Sequence, residues 1–132
     1  MSNFQPPPDV ELHLEHRPDV SSVARHAVQS LLPPHVDHWF EVDALLATSE
    51  LASNVYQHTN DGARLHAWWR DQYGLRVEVR DTSPVLPRLP PADPRAPTRR
   101  GLKIVNDIAT LWGAHPLEHG KAVWFELHPP TD

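Results

Sequence analysis

The chain predicts a two-layer α/β sandwich, built on a mixed, mostly antiparallel sheet with three helices on one face. Three observations carry this. Short stretches of period-2 hydrophobic alternation occur as neighbouring pairs at residues 64–80 and 114–128. Two amphipathic helical patterns lie before the first pair and a third lies between the pairs. The resulting order, β-α-α-β-β-loop-α-β-β, keeps strands in pairs and helices apart, as in a single sheet covered on one side. A length of 132 residues suits one domain, expected over residues 9–129.

Taken in order, residues 1–8 contain Pro6, Pro7 and Pro8 among polar neighbours and read as a disordered tail. Val10–His16 alternates apolar and polar and reads as a strand. Pro18–Leu32 reads as a helix, with Asp19 or Ser21 as its cap and Val20, Val23, Ala24, Ala27, Val28 and Leu31 on its apolar side. Pro33 and Pro34 stop it, because proline has no N–H to continue the ladder. Trp39 to about Gln57 forms the second helix, with Trp39 expected to pack on the sheet. Asn60-Asp61-Gly62 is a turn signal. Arg64–Trp69 and Leu75–Arg80 form a hairpin around Asp71-Gln72-Tyr73-Gly74. Residues 82–100 have no periodicity and carry Pro84, Pro87, Pro90, Pro91, Pro94 and Pro97; a loop of that size is usually functional. Gly101–Trp112 reads as the third helix, and Ala114–Glu118 with Ala122–His128 as the closing strand pair.

Composition excludes several function classes. A net charge of −5 and only the short basic pair Arg99-Arg100 argue against a nucleic-acid-binding tract. No apolar run reaches the roughly 18 residues of a membrane span, and the N-terminus lacks a signal-peptide pattern. The absence of cysteine removes disulfides and thiolate metal sites. A cytoplasmic location is the simplest reading. Ten histidines invite a metal site, but the pairs His13/His16 and His115/His119 fall on expected strands or turns, where spacings of three and four do not converge.

The most informative stretch is Ser49-Glu50-Leu51-Ala52-Ser53-Asn54-Val55-Tyr56-Gln57-His58. Fourth neighbours on a helix lie nearly above one another, so Glu50, Asn54 and His58 form one polar stripe on an otherwise apolar helix. Such a stripe is either a solvated edge or the wall of a site. Asp81 follows an alternating strand, where it is a candidate ligand-binding residue and equally good turn chemistry before Thr82-Ser83-Pro84.

Three segments in this order resemble the anti-sigma-factor serine/threonine kinases of the histidine-kinase-like ATPase fold. Glu50–His58 is similar to the family's N box, Val79–Pro84 to its first glycine box, and Arg100–Val105 to its second. The resemblance covers residues 10–128 and implies binding of ATP with Mg²⁺. It implies Asn54 as the Mg²⁺ ligand, Glu50 as the catalytic base, and Asp81 as the acceptor of the adenine amino group, with Ser83 beside it. It places Arg100, Gly101 and Leu102 at the phosphates, where a helix N-terminus favours an anion. Residues 82–100 become a lid over the triphosphate. A sigma factor and an antagonist protein are the implied partners, and a homodimer the implied assembly. The sequence departs from the pattern at Ser83 and Val85, where the family has glycines, and at Ala122, near its adenine-side threonine. These departures motivate an alternative expectation: a non-catalytic interaction module of the same fold with weak or no ATP binding.

Overall fold

The computed structural model describes residues 2–83 and 100–130. Eight elements follow one another: β1 (Val10–Leu14), α1 (Val20–Leu31), α2 (His38–His58), β2 (Ala63–Arg70), β3 (Gly74–Asp81), α3 (Arg100–Ile108), β4 (Leu111–Leu117) and β5 (Gly120–Leu127). The strands form one five-stranded sheet in the order β1-β2-β3-β5-β4. Every neighbouring pair among the described strands is antiparallel, which corrects the expected mixed sheet. The reason is topological. α3 carries the chain past β3 to the sheet edge, where β4 starts, and β5 turns back into the gap between them. β4 therefore runs in the direction of β3 without touching it.

Side-chain alternation assigns the two faces. The rows Val10–Ala67–Val77–Phe125–Trp112 and Leu12–Leu65–Val79–Val123–Ala114 run across all five strands. Both rows belong to the hydrophobic core or pack on it, together with Ala24 and Val28 of α1, Ala44 and Leu51 of α2, and Leu102 and Val105 of α3. All three helices thus cover this one face, giving two layers. Each large aliphatic side chain buried here contributes about 1.5–3 kcal/mol. α2 lies between α1 and α3. Small residues at Ala44, Ala47 and Ala52, all buried, let its neighbours approach. Thr48 is also fully buried, and its hydroxyl donates to the Ala44 carbonyl at 2.8 Å.

Helix boundaries follow their caps. α2 starts one residue early, at His38, because Asp37 accepts from the backbone N–H groups of Trp39 and Phe40 at 3.0 and 3.2 Å. α1 starts at Val20, and Asp19 occupies the cap position without capping it. Its carboxylate instead meets Arg17 at 3.3 Å, while the Ser21 hydroxyl donates to the Ser49 carbonyl of α2 at 3.2 Å. α3 ends at Ile108 rather than Trp112. Thr110 N–H donates to the Glu126 carbonyl at 2.9 Å, so the chain has already joined the sheet. The apolar residues Leu111 and Trp112 alternate on β4 instead of extending the helical face.

The opposite face of the sheet is charged. Arg76 bridges Glu78 at 3.0 Å and Glu126 at 2.7 Å, and its guanidinium lies 4.2 Å from the Trp124 ring centre. The stretch before β1, expected as a disordered tail, covers part of this face. Phe4 is buried edge-on against Tyr73, and the Gln5 carbonyl accepts from Trp68 Nε1 at 3.2 Å. Trp68 is buried there as well.

Candidate functional site

Glu50 and Asn54 lie one turn apart near the middle of α2, and both are half-buried. Their orientation follows from their neighbours. Ser49 faces α1, where its hydroxyl accepts from Arg25 at 2.8 Å. One residue is about 100° of helix, so Glu50 and Asn54 turn away from α1 toward the α3 flank. Leu51 and Val55 meanwhile anchor the helix in the core. Neither Glu50 nor Asn54 makes a side-chain hydrogen bond or ion pair among the described residues. His58, the last residue of the stripe and of α2, is exposed. The C-terminal end of α2 is held from β1's side: His16 Nε2 lies 3.0 Å from the Tyr56 carbonyl, and the two rings stack with centres 4.5 Å apart.

Asp81 is the last residue of β3 and points to the helix-covered face, in the row of Leu14 and Ala63. Its side chain is 2 % exposed. Oδ1 accepts from the Lys121 ammonium at 3.0 Å and from the Ser83 backbone N–H at 2.8 Å. Both bonds fall on one oxygen, so Oδ2 retains acceptor capacity. Ser83 thus closes a turn on Asp81, and the turn chemistry seen in the sequence is present. Gly120 makes the close approach of β5 possible. Its φ is +128°, and a Cβ there would overlap the Asp81 carbonyl oxygen.

Lys121 is the residue that sequence reasoning missed. It pairs directly with Asp81 in the β3–β5 register and therefore shares its face. Ala122, taken as the residue near the adenine end, pairs with Arg80 and lies on the opposite, charged face. That expectation is corrected by the period of two along a strand. The available signal was the His119-Gly120 turn: with β5 starting at Gly120, the strand's alternation sends Lys121 and Ala122 to opposite faces.

Leu102 is 4 % exposed and belongs to the core, so its side chain anchors the first turn of α3. Any ligand contact at Leu102 falls to its backbone N–H, one of the unpaired donors of a helix start. Arg100 opens α3, followed by Gly101. The phosphate contacts expected of the Arg100 side chain and of Gly101, most of the lid expected over residues 82–100, and the departure at Val85 lie outside the described residues. Trp39 does not pack on the sheet as expected: it is 68 % exposed. Among the described residues no group of three or more His, Asp or Glu side chains is arranged to hold a metal ion. No described helix is long and apolar enough to cross a membrane.

Among the described residues, the candidate groups are a carboxylate and an amide without side-chain partners on the middle helix, and a buried carboxylate at the end of β3 on the sheet face that the helices cover. Chemically these are a proton acceptor, a neutral oxygen ligand for a hard cation, and an acceptor for an amino group. The adenine nucleotide and Mg²⁺ that the resemblance implies would call on Asp81 Oδ2 and on the Asn54 amide oxygen. The chain matches no known family model, and no curated protein is significantly similar to it.

Proposed function

We propose that this protein is an ATP-binding regulator of the anti-sigma-factor type, a serine/threonine kinase acting on an antagonist protein. The observation that carries the reading is the pair Glu50 and Asn54. Both are half-buried on the middle helix, turned from α1 toward α3, and without side-chain partners among the described residues. Half-buried polar side chains without protein partners are open to water or to a ligand, and this pair supplies the two groups the reading needs. In this reading the bound Mg²⁺ offsets phosphate charge. Asn54 ligates it through its amide oxygen, Glu50 accepts the proton of the substrate serine, and Asp81 Oδ2 accepts from the adenine amino group. The nucleotide's phosphates lie at the start of α3, at Arg100, Gly101 and Leu102. A sigma factor is the sequestered partner, the dephosphorylated antagonist the substrate, the cytoplasm the compartment, and a homodimer the assembly.

Calorimetric titration with Mg-ATP, followed by phosphoryl-transfer assays, tests this. Asp81→Asn keeps the shape and the acceptor for Lys121. Those contacts fix its amide oxygen, so its NH₂ faces the purine amino group and affinity should fall about 10- to 100-fold. Glu50→Gln should keep nucleotide affinity and lose transfer by on the order of 10²–10⁴. Equal transfer by wild type and Glu50→Gln would remove Glu50 from the chemistry.

One observation favours a second reading, a non-catalytic interaction module of the same fold. The Asp81 carboxylate already holds a buried ammonium, Lys121 Nζ, at 3.0 Å. A salt bridge serves strand pairing without any nucleotide. Absence of binding heat at millimolar Mg-ATP would select this reading.

A further inference from the structure

Trp39, Val42 and Leu46 are 68 %, 37 % and 40 % exposed. At about 100° per residue they fall within one 60° sector of α2, an apolar stripe on its solvent side about 10 Å long. Single exposed apolar residues are ordinary; three on one side of a helix, led by an open tryptophan, form a small apolar patch. Nothing in α2's own folding requires it. The helix is anchored from its other side by Phe40, Ala44, Ala47, Leu51 and Val55, all buried.

The charges around the stripe define what fits it. Asp43 and Glu50 lie beside it on the α3 side, within about 80° of Leu46 around the helix. Neither makes an ion pair among the described residues. The 21 residues of α2 contain no lysine or arginine. The other flank carries the His38 ring against Trp39 and the Ser49 hydroxyl, which holds the Arg25 guanidinium of α1, a cation already engaged there. A second copy of this helix would bring its own Asp43 and Glu50 to the same contact, carboxylate against carboxylate. The complementary occupant is a cation-bearing apolar surface. Knobs at i, i+3 and i+7 on a helix pack into the ridges of another helix.

We propose that the Trp39–Val42–Leu46 stripe docks a cationic amphipathic helix of another protein, with lysine or arginine side chains meeting Asp43 and Glu50. The docking needs no nucleotide and stands apart from the kinase reading. If that reading also holds, the stripe has a second use. Glu50 lies one turn beyond Leu46 on the same line, so a helix seated there ends beside the proton acceptor.

The test uses the whole protein without nucleotide. The probe is a dye-labelled helical peptide of about 18 leucine and lysine residues with one apolar face, titrated at about 0.15 M salt and read by fluorescence anisotropy. Controls are the same peptide with glutamate in place of lysine, and a scrambled peptide. Binding by the cationic helix and not by the controls is expected. Leu46→Asp is the decisive variant. It adds a negative charge, so attraction by net charge alone predicts equal or tighter binding, whereas docking on the stripe predicts a loss of at least about tenfold. Trp39→Ala and Asp43→Lys should weaken binding similarly. All three positions lie on the helix surface, and circular dichroism checks that the variants stay folded. Unchanged or tighter binding by Leu46→Asp, or equal binding of the acidic peptide, overturns the proposal. So does sedimentation showing a dimer that Leu46→Asp converts to monomer, since the stripe would then belong to a second copy.

Discussion

Asp81 concentrates the tension in this molecule at a single side chain. At 2 % exposure its carboxylate is held by Lys121, itself only 10 % exposed. A buried ion pair is weak evidence of stability, but removing one partner is costly because the other charge stays behind. Lys121→Met is therefore expected to lower unfolding stability by about 3–5 kcal/mol in urea titrations, and Asp81→Asn with Lys121→Met to recover most of that loss. A single-variant cost below about 1 kcal/mol would mean that water reaches the pair. A second residue, His66, sets a pH dependence. Desolvation, then the Arg80 guanidinium, hold its imidazole below the ordinary 6.5, outweighing the carboxylates of Glu11 and Glu78. Its Nε2 is buried without a hydrogen-bond partner, 3.6 Å from Glu11 Oε1. The unfolded chain takes up this proton near 6.5 and the folded chain only at lower pH. Stability is thus full above 6.5 and falls as the pH drops through the window beneath it. Urea midpoints measured from pH 7.5 downward should show this slope, and His66→Phe should flatten it. Glu11, held below its usual range first by its hydrogen bond to Arg64, acts with the same sign below 4.5, so the two windows separate.

At the level of elements, the sequence shows existence and type more clearly than ends. The β1–α1–α2–β2–β3 run was legible because each element keeps one hydrophobic period between strong stops: Pro33-Pro34 after α1, and Asn60-Asp61-Gly62 after α2. The end of α3 was not legible. Ile108, Leu111 and Trp112 satisfy a helical face and a strand's alternation equally well, and the backbone bond from Thr110 to Glu126 decides between them. Asp37 escaped notice as a cap because His38 and Trp39 carry no capping pattern of their own. In the candidate site, Glu50 and Asn54 were readable, since a four-residue spacing fixes their common side whatever the helix packs on. Lys121 was not, because its importance exists only once β5 is registered on β3. Trp39 failed for a related reason. Aromatic residues near helix starts are commonly buried, and only the rotation imposed by Phe40 and Ala44 in the core turns Trp39 outward.

Over the whole molecule, the kinase reading makes a thermodynamic demand that does not depend on knowing the antagonist. The sheet's rows cross all five strands and meet all three helices in one core, so the domain is expected to unfold as one cooperative unit. A ligand that binds only the folded state then stabilises all of it. At a free concentration about 100 times Kd, ATP with Mg²⁺ should contribute about 2.7 kcal/mol. For a domain of this size that corresponds to a rise in Tm of roughly 8 °C, at about 3 °C per kcal/mol. The contacts assign the shares. Omitting Mg²⁺ should remove most of the shift, because Asn54 then has no cation to ligate. Asp81→Asn should reduce it at a fixed ATP concentration by lowering affinity. Glu50→Gln should leave it intact, because proton acceptance enters only with the serine. An equal shift with and without Mg²⁺ would place the nucleotide somewhere other than Asn54. No shift at millimolar Mg-ATP, with the fold intact, would leave Asp81 to its structural partner Lys121 and the chain to protein contacts alone.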